Sequence, residues 1–328
     1  MKKMKMAFLA LATLALLATS TACGGGGGGG GSDDDDTPSS GSGSSGGSGS
    51  TSPSVPDGFV LVQGATFNGA ITVPYSQVFI EGRTVTIPSL LVCDHEVTQA
   101  EYQSVMGSNP SYFTDNPSIG ETQANRPVES VSWYDAIMYC NKRSIAEGRT
   151  PCYKIGGKDN PSEWGAVPTG SNSTWNAATC DFSANGYRLP TEAEWEYLAR
   201  GGNLTNSGQT TYSESDTIGS VAWYYENAYG VGTDSPDYGT HPVKTKAKNA
   251  LNLYDMSGNV WEWCWDWWDG SISTSTPSAG AASGSNRVLR GGSWYSIASL
   301  CAVSYRGIDY PYYRNYDIGF RVVCSRSE

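Results

Sequence analysis

Long segments with helical periodicity are few in this 328-residue sequence, and no fixed-period repeat occurs. No second low-complexity linker follows residue 54. Their absence argues against a repeat array and against a chain divided into several tethered domains. Glycine, asparagine, serine and aromatic residues are abundant instead, which is typical of a loop-rich domain with short helices and short strands.

Basic residues are also scarce. The 21 lysines and arginines face 32 acidic residues, so the formal net charge is -11. A chain this acidic is a poor partner for nucleic acid or for anionic lipid headgroups. Histidine occurs only as His95 and His241, and we expect a hydrogen-bonded or structural role for both.

The N-terminal apolar run, residues 6–18, is shorter than the roughly 20 residues that a membrane-spanning helix needs. It follows three lysines and ends at small residues before Cys23, which predicts a signal peptide over residues 1–22 and a lipidation site at Cys23. The alternative is ordinary cleavage that leaves Cys23 as a thiol. Either way we expect export to a bacterial cell envelope, at the periplasmic or cell-surface side. Lipid on Cys23 would make the membrane a partner.

Residues 23–54 consist almost entirely of glycine, serine, threonine, proline and aspartate. Such a segment has no apolar surface to bury, so we expect a disordered tether. Residues 55–328 would then form one domain, with an insertion at about 149–186.

Seven cysteines follow Cys23, and an odd number leaves at least one thiol unpaired in an oxidising compartment. Cys152 and Cys180 bracket the insertion. A disulfide between them would close about 28 residues and contribute roughly 3 to 4 kcal/mol. Two buried thiols are the alternative.

Three helix starts carry the Thr/Ser-x-x-Glu/Asp pattern of a capping box. The first helix should end at Gly107 and the third at Gly201. Strands are predicted at 59–63, 84–87 and 90–93. Tryptophans at 261, 263, 265 and 267 alternate as on one strand face, and we expect the first two in the core, leaving Trp265, Trp267 and Trp268 open. The three boxes are Thr98 with Glu101, Ser132 with Asp135, and Thr191 with Glu194.

Five motifs occur in order along the chain, and several ordered motifs are more specific than any one of them. Together they resemble the formylglycine-generating, sulfatase-modifying enzyme family over roughly Pro56 to Cys324. The resemblance implies a compact α+β fold, related in architecture to C-type lectins. The motifs are Glu-Val-Thr-Gln at 96–99, Val-Ser-Trp at 131–133, Tyr-Arg-Leu-Pro-Thr-Glu-Ala-Glu-Trp-Glu-Tyr at 187–197, Leu-Tyr-Asp-Met-Ser-Gly-Asn-Val-Trp-Glu-Trp at 253–263, and Arg-Gly-Gly-Ser-Trp at 290–294 with Gly-Phe-Arg at 319–321.

The family oxidises a substrate cysteine to formylglycine, with copper, dioxygen and two enzyme cysteines on the loop after Gly-Gly-Ser. In this chain Ser296 falls at the first of those positions when counted forward from Gly291, and Cys301 at the second. Counted back from Gly319, Cys301 instead approaches a structural cysteine of the family, and on either alignment the pair is incomplete. A serine hydroxyl cannot replace a copper-binding thiolate. Cys301 is therefore a doubtful catalytic residue, and copper is not expected as a cofactor. The related iron branch needs three histidines, which this chain does not have.

The resemblance also implies structural calcium. Its ligands would be the side chains of Asp255 and Glu262 and the backbone carbonyls of Gly258 and Val260, all oxygen donors of the kind calcium prefers. A capped turn without a metal is the alternative. The family further pairs a helix cysteine matching Cys140 with one that matches Cys324, so that disulfide is implied too. Sequence does not decide how Cys93, Cys264 and Cys301 are paired.

The C-terminal stretch borders the substrate groove in the family. Tyrosine and arginine concentrate binding energy at protein surfaces, which makes this stretch the predicted binding site, with ordinary loop packing as the alternative. The function predicted is a non-catalytic module that binds an extracellular peptide or glycan. A working oxidase that uses Cys301 with another thiol, such as Cys264, and a purely structural envelope protein are the alternatives. The binding candidates are Ser293, Trp294, Tyr305, Arg306, Tyr310, Tyr312, Tyr313 and Arg314.

Overall fold

A computed structural model describes residues 55–115 and 117–326. The predicted signal peptide, the lipidation site at Cys23 and the predicted tether lie outside the described residues. Within the described part, none of the helices combines the length and the apolar character needed to cross a bilayer.

Twelve short strands and five short helices occur in the described residues, joined by long irregular segments. The expected fold class, α+β and loop-rich, is confirmed. The strands are β1 Phe59–Val62, β2 Ala65–Phe67, β3 Val85–Ile87, β4 Leu90–Cys93, β5 Tyr153–Lys154, β6 Thr179–Cys180, β7 Tyr187–Arg188, β8 Trp261–Trp267, β9 Arg287–Arg290, β10 Gly307–Asp309, β11 Ile318–Gly319 and β12 Val323–Ser325. The helices are α1 Gln99–Met106, α2 Trp133–Ala146, α3 Ser173–Asn176, α4 Glu192–Ala199 and α5 Ile218–Val221.

All three predicted capping boxes are confirmed. Thr98, Ser132 and Thr191 each accept a hydrogen bond from the backbone three residues on, and the acidic residue at that position accepts one in return. Helix α1 ends at Gly107, whose positive φ of 81° suits a residue without a Cβ. Helix α4 ends at Ala199, with Arg200 rather than Gly201 as its C-cap.

Two four-stranded sheets organise the core. The first has the order β1-β4-β12-β7 and is antiparallel throughout. The second has the order β10-β9-β8-β11, in which only the β11–β8 pairing is parallel. Strand β8 carries the tryptophan run. Trp263 is fully buried, as expected, whereas Trp261 is only half-buried because it borders an open groove.

Helix α4 is buried along its whole length although it carries three glutamates. Each glutamate faces an arginine from a different part of the chain, so none of the three carboxylates is buried without a partner. Because such pairs require specific tertiary placement, α4 ties together strands that are far apart in sequence. The pairs are Glu192 with Arg306 at 2.6 Å, Glu194 with Arg188 at 2.6 Å and Glu196 with Arg290 at 2.5 Å.

All seven cysteines of the described residues are free thiols. The disulfides predicted between Cys152 and Cys180 and between Cys140 and Cys324 are thus not formed in this structure. The first pair is nevertheless adjacent, since Cys180 of β6 pairs with Tyr153, the residue after Cys152. A side-chain hydrogen bond from Cys180 accordingly lowers the pKa of Cys152. The insertion has more core than expected: it places Trp164 and Trp175 in the main hydrophobic cluster.

Candidate functional site

A groove of about 500 Å³ opens over the second sheet, beside the C-terminal stretch. Strands β8, β9 and β10 supply its floor, and the chain between β10 and β11 supplies one wall. Its aromatic lining comes from Trp261, Trp268, Tyr305 and Tyr313. We call these residues, together with Ile308, Asp309 and Asp317, the tyrosine groove.

Three of the predicted binding tyrosines are exposed, and two of them, Tyr305 and Tyr313, line the groove. Tyr305, Tyr310 and Tyr313 expose 39, 49 and 41% of their surface. Tyr310 stacks on Tyr312 with ring centroids 5.4 Å apart and planes 16° from parallel, which holds the exposed ring in place. Large aromatic side chains that stay exposed although they are fixed by packing are suited to contacting a ligand.

The two arginines predicted to bind a ligand each form an ion pair with a carboxylate of the protein itself. Arg306 is buried, pairs with both oxygens of Glu192 at 2.6 and 2.8 Å and lies 4.2 Å from the Trp268 ring centroid. Arg314 donates to Asp135 at 2.7 Å. Both therefore position the groove, and their charges are already balanced.

Ser293 and Trp294, the other predicted binding residues, lie beneath the surface. They are 0% and 1% exposed. The Trp294 indole donates to the Tyr316 carbonyl at 3.1 Å, and Ser293 donates to Asp317 at 3.1 Å. As folded, the two residues support the C-terminal stretch rather than contact a ligand.

An acidic group lies in one wall of the tyrosine groove. One oxygen of the Asp317 carboxyl accepts from Ser293, while Oδ1 has no hydrogen-bond partner among the described residues. Burial raises the pKa of Asp317 to about 6. An unpaired buried carboxyl oxygen is costly, and a ligand that donates a hydrogen bond or carries a positive charge would satisfy it.

A second aromatic patch, which the sequence did not reveal, surrounds Trp294. Tyr295 is 42% exposed and meets the Tyr229 ring edge-on at 4.4 Å. Tyr112 is 68% exposed and contacts the Tyr316 ring at 5.9 Å. Tyr295 was adjacent to a predicted residue, but no pattern linked Tyr112 or Tyr229 to this place because their proximity depends on the fold.

At the copper position, Ser296 and Cys301 are both buried. The Ser296 hydroxyl accepts from the backbone nitrogen of Ser293, so it closes a turn. Burial raises the pKa of Cys301 to about 12, which keeps it a thiol. Cys264, its suggested partner, packs in a different hydrophobic cluster from Cys301.

At the predicted calcium motif, both carboxylate oxygens of Glu262 accept from Arg321, at 2.6 to 2.9 Å, and one also accepts from Trp195 at 2.7 Å. Asp255 is buried, and its Oδ1 has no partner among the described residues. Asp255 thus has a free oxygen for a metal, but Glu262 does not. In this arrangement the four predicted ligands, Asp255, Gly258, Val260 and Glu262, do not fit a calcium ion together. Calcium at this motif stays an untested prediction.

The fold and the ordered motifs define a class of protein. The family model described as sulfatase-modifying factor enzyme 1-like domain matches residues 48–326, so the chain belongs to that family, and the resemblance seen in the sequence is confirmed.

The chain is also similar to three known proteins. The chain is 39% identical over 287 residues to the chaperone protein LppX of Paenibacillus barcinonensis, covering 83% of this chain and 91% of that one. It is 28% identical to mouse (Mus musculus) formylglycine-generating enzyme, covering 67% of this chain and 60% of that enzyme. The solved structure of Treponema denticola variable protein 1 superimposes with a TM-score of 0.71 at 39% identity, covering 82% of this chain and 95% of the other.

Proposed function

We propose that this protein is a non-catalytic binding module that holds an extracellular polypeptide in the tyrosine groove. The observation that carries the proposal is the groove itself, in which exposed tyrosines surround a buried carboxyl with an unpaired oxygen. Aromatic rings provide contact area at low entropic cost, and the carboxyl provides a hydrogen-bond acceptor. The similarity to a protein named a chaperone supports a polypeptide ligand over a glycan.

The state of the copper position supports a binding function over an oxidase. Copper(I) needs soft thiolate donors. The thiol of Cys301 is buried and held protonated, and the other copper position of the loop carries Ser296. We also propose, from the N-terminal sequence, that the domain is tethered to a bacterial envelope through Cys23.

The proposal is tested with peptide and glycan arrays probed by the full mature chain. We expect saturable binding to a set of peptides, reduced at least about tenfold by Tyr313→Ala or Tyr305→Ala, since a tenfold loss corresponds to about 1.4 kcal/mol. Tyr75→Ala is the matched control, because Tyr75 is 82% exposed and lies outside the groove.

Three outcomes contradict the proposal. Absence of any saturable ligand on either array would favour a purely structural envelope protein. Copper-dependent conversion of a cysteine in a sulfatase-type peptide, abolished by Cys301→Ser, would show that the protein is an oxidase. Binding confined to glycans would keep the groove but change its ligand.

A further inference from the structure

Three metal-binding side chains converge where strand β4 leads into helix α1. Cys93 ends β4, His95 lies two residues on, and Glu101 lies in the first turn of α1. One donor atom from each, the sulfur, a ring nitrogen and a carboxylate oxygen, lies within 4.8 Å of the other two. Among the described residues this is the one such group of three or more. None of the three belongs to the tyrosine groove.

The spacing of these donors is close to that of a tetrahedral zinc ion. The Cys93 sulfur lies 3.9 Å from Nε2 of His95, and that nitrogen lies 3.3 Å from Oε2 of Glu101. Zinc bonds of about 2.3 Å to sulfur and about 2.0–2.1 Å to nitrogen or oxygen place tetrahedral ligands roughly 3.6 Å and roughly 3.3 Å apart. The Cys93 sulfur also lies 3.7 Å from Nδ1, beside the ring, so binding through Nε2 requires the Cys93 or His95 side chain to rotate.

The surrounding residues hold these donors as outer-shell partners hold metal ligands. Asp94 contacts Nδ1 of His95 at 2.5 Å, which leaves Nε2 to face the cluster, and Lys244 contacts Asp94 at 2.7 Å. A carboxylate behind a histidine in this way fixes its tautomer and raises its basicity as a ligand. The backbone and hydroxyl of Thr98 both donate to Oε2 of Glu101 at 2.9 Å.

We propose that Cys93, His95 and Glu101 form a zinc site with three protein ligands and one open position. The mixed sulfur, nitrogen and oxygen donor set favours zinc over the hard ions calcium and magnesium. Cys93 is fully buried, while His95 and Glu101 retain 13% and 29% exposure, so an ion can enter from the Glu101 side. Arg143, 3.5 Å from the other oxygen of Glu101, balances the remaining charge of that carboxylate.

The test is zinc titration of the reduced, metal-free mature chain by calorimetry, together with cobalt(II) substitution. We expect one equivalent of zinc, and a cobalt complex with a thiolate charge-transfer band and tetrahedral d–d bands. His95→Asn and Cys93→Ser should each weaken zinc binding at least about 100-fold, and Asp94→Asn about 10- to 100-fold through the outer shell. Cys301→Ser and Glu81→Gln are matched controls that should leave the affinity unchanged, since Glu81 is exposed and has no part in the cluster.

Zinc affinity that is the same in His95→Asn as in the unaltered chain would overturn the site, because the ion would then be bound elsewhere, for example at Cys152 and Cys180. If Cys93→Ser fails to fold, the cobalt spectrum of the unaltered chain still decides. A spectrum without a thiolate band, or one unchanged by His95→Asn, would also overturn it. The peptide arrays are independent, so failure here does not affect the binding proposal.

Discussion

At the scale of single residues, the interior is notable for buried charges and for the way each is balanced. Arg321 is fully buried and donates to both oxygens of Glu262, with Trp195 completing that carboxylate. Not every buried carboxyl has such a cation. Glu129 is also fully buried, and its partners are the backbone nitrogen of Phe113 and the hydroxyl of Ser130. The two arrangements predict different responses to substitution and to pH.

We expect Arg321→Met to lower the free energy of unfolding by about 3 to 5 kcal/mol, because it leaves the Glu262 carboxylate buried without its cation. Urea unfolding measures the change. Lys158→Met is the control: its pair with Glu163 is exposed, and its loss should cost less than about 1 kcal/mol. A loss for Arg321→Met as small as for the control would show that the buried pair is not formed.

Glu129 should make stability depend on pH. Burial raises its pKa from 4.5 to about 7, so the folded state favours the neutral carboxyl. That contribution is fully present below pH 4.5 and is lost as the pH rises through about 7, by about 3 kcal/mol in all.

The Glu129→Gln variant should therefore become more stable relative to the unaltered chain as the pH rises from 5 to 8, as followed by urea unfolding at each pH. Glu81→Gln, at an exposed position, should show no such trend. A difference between the Glu129→Gln variant and the unaltered chain that stays constant with pH would contradict the raised pKa.

At the scale of elements, some helices and strands are determined by short local sequence signals and others by long-range contacts. The capping boxes of α1, α2 and α4 are local, and sequence alone located them. Strands β5 and β6 have two residues each, paired through Tyr153 and Cys180, and form only because the insertion packs Trp164 and Trp175 into the core. Nothing in the local pattern of the insertion distinguishes those residues from loop.

Cys152 directly precedes β5 and lies beside Cys180 of β6, so we predict that oxidation joins the two in a disulfide. Peptide mapping by mass spectrometry of the secreted chain should find this bond, and its reduction should lower the free energy of unfolding by roughly 3 kcal/mol. Cys152→Ser should remove that difference between oxidised and reduced protein, whereas Cys301→Ser should leave it. Recovery of both thiols in free form from the exported protein would contradict the prediction.

At the scale of the whole molecule, the described residues pack two four-stranded sheets and α4 into two large hydrophobic clusters and two smaller ones, and they present the tyrosine groove and a second aromatic patch around Trp294. The family motifs serve this architecture: Arg188, Arg290 and Arg321 each neutralise a buried glutamate. The molecule thus keeps the framework of the family while the loop after Gly-Gly-Ser holds a buried serine and a buried thiol. A framework of this kind tolerates a change of function in its loops.

Either the Arg321 guanidinium or a calcium ion could neutralise the Glu262 carboxylate, and thermal unfolding in calcium and in a chelator distinguishes the two. Because Arg321 already does so, we expect the Tm to agree within about 2 °C in the two conditions. A clearly higher Tm in calcium, lost in Asp255→Ala, would instead support the calcium site that the motif implies. Magnesium at the same concentration is the control for general ionic effects.

The sequence by itself determined the family, the fold class and the helix starts, because ordered motifs and capping pairs are local and can be read along the chain. It also predicted binding at the C-terminal stretch, of which Tyr305 and Tyr313 line the groove proposed here as the binding site. Only the tertiary structure decided which of these side chains are exposed, since burial depends on packing partners distant in sequence. In the folded chain Ser293 and Trp294 are buried, and the Glu262 carboxylate forms an ion pair with Arg321. Cys93, His95 and Glu101 lie together there for the same reason: charges and donor atoms pair through space and not along the sequence.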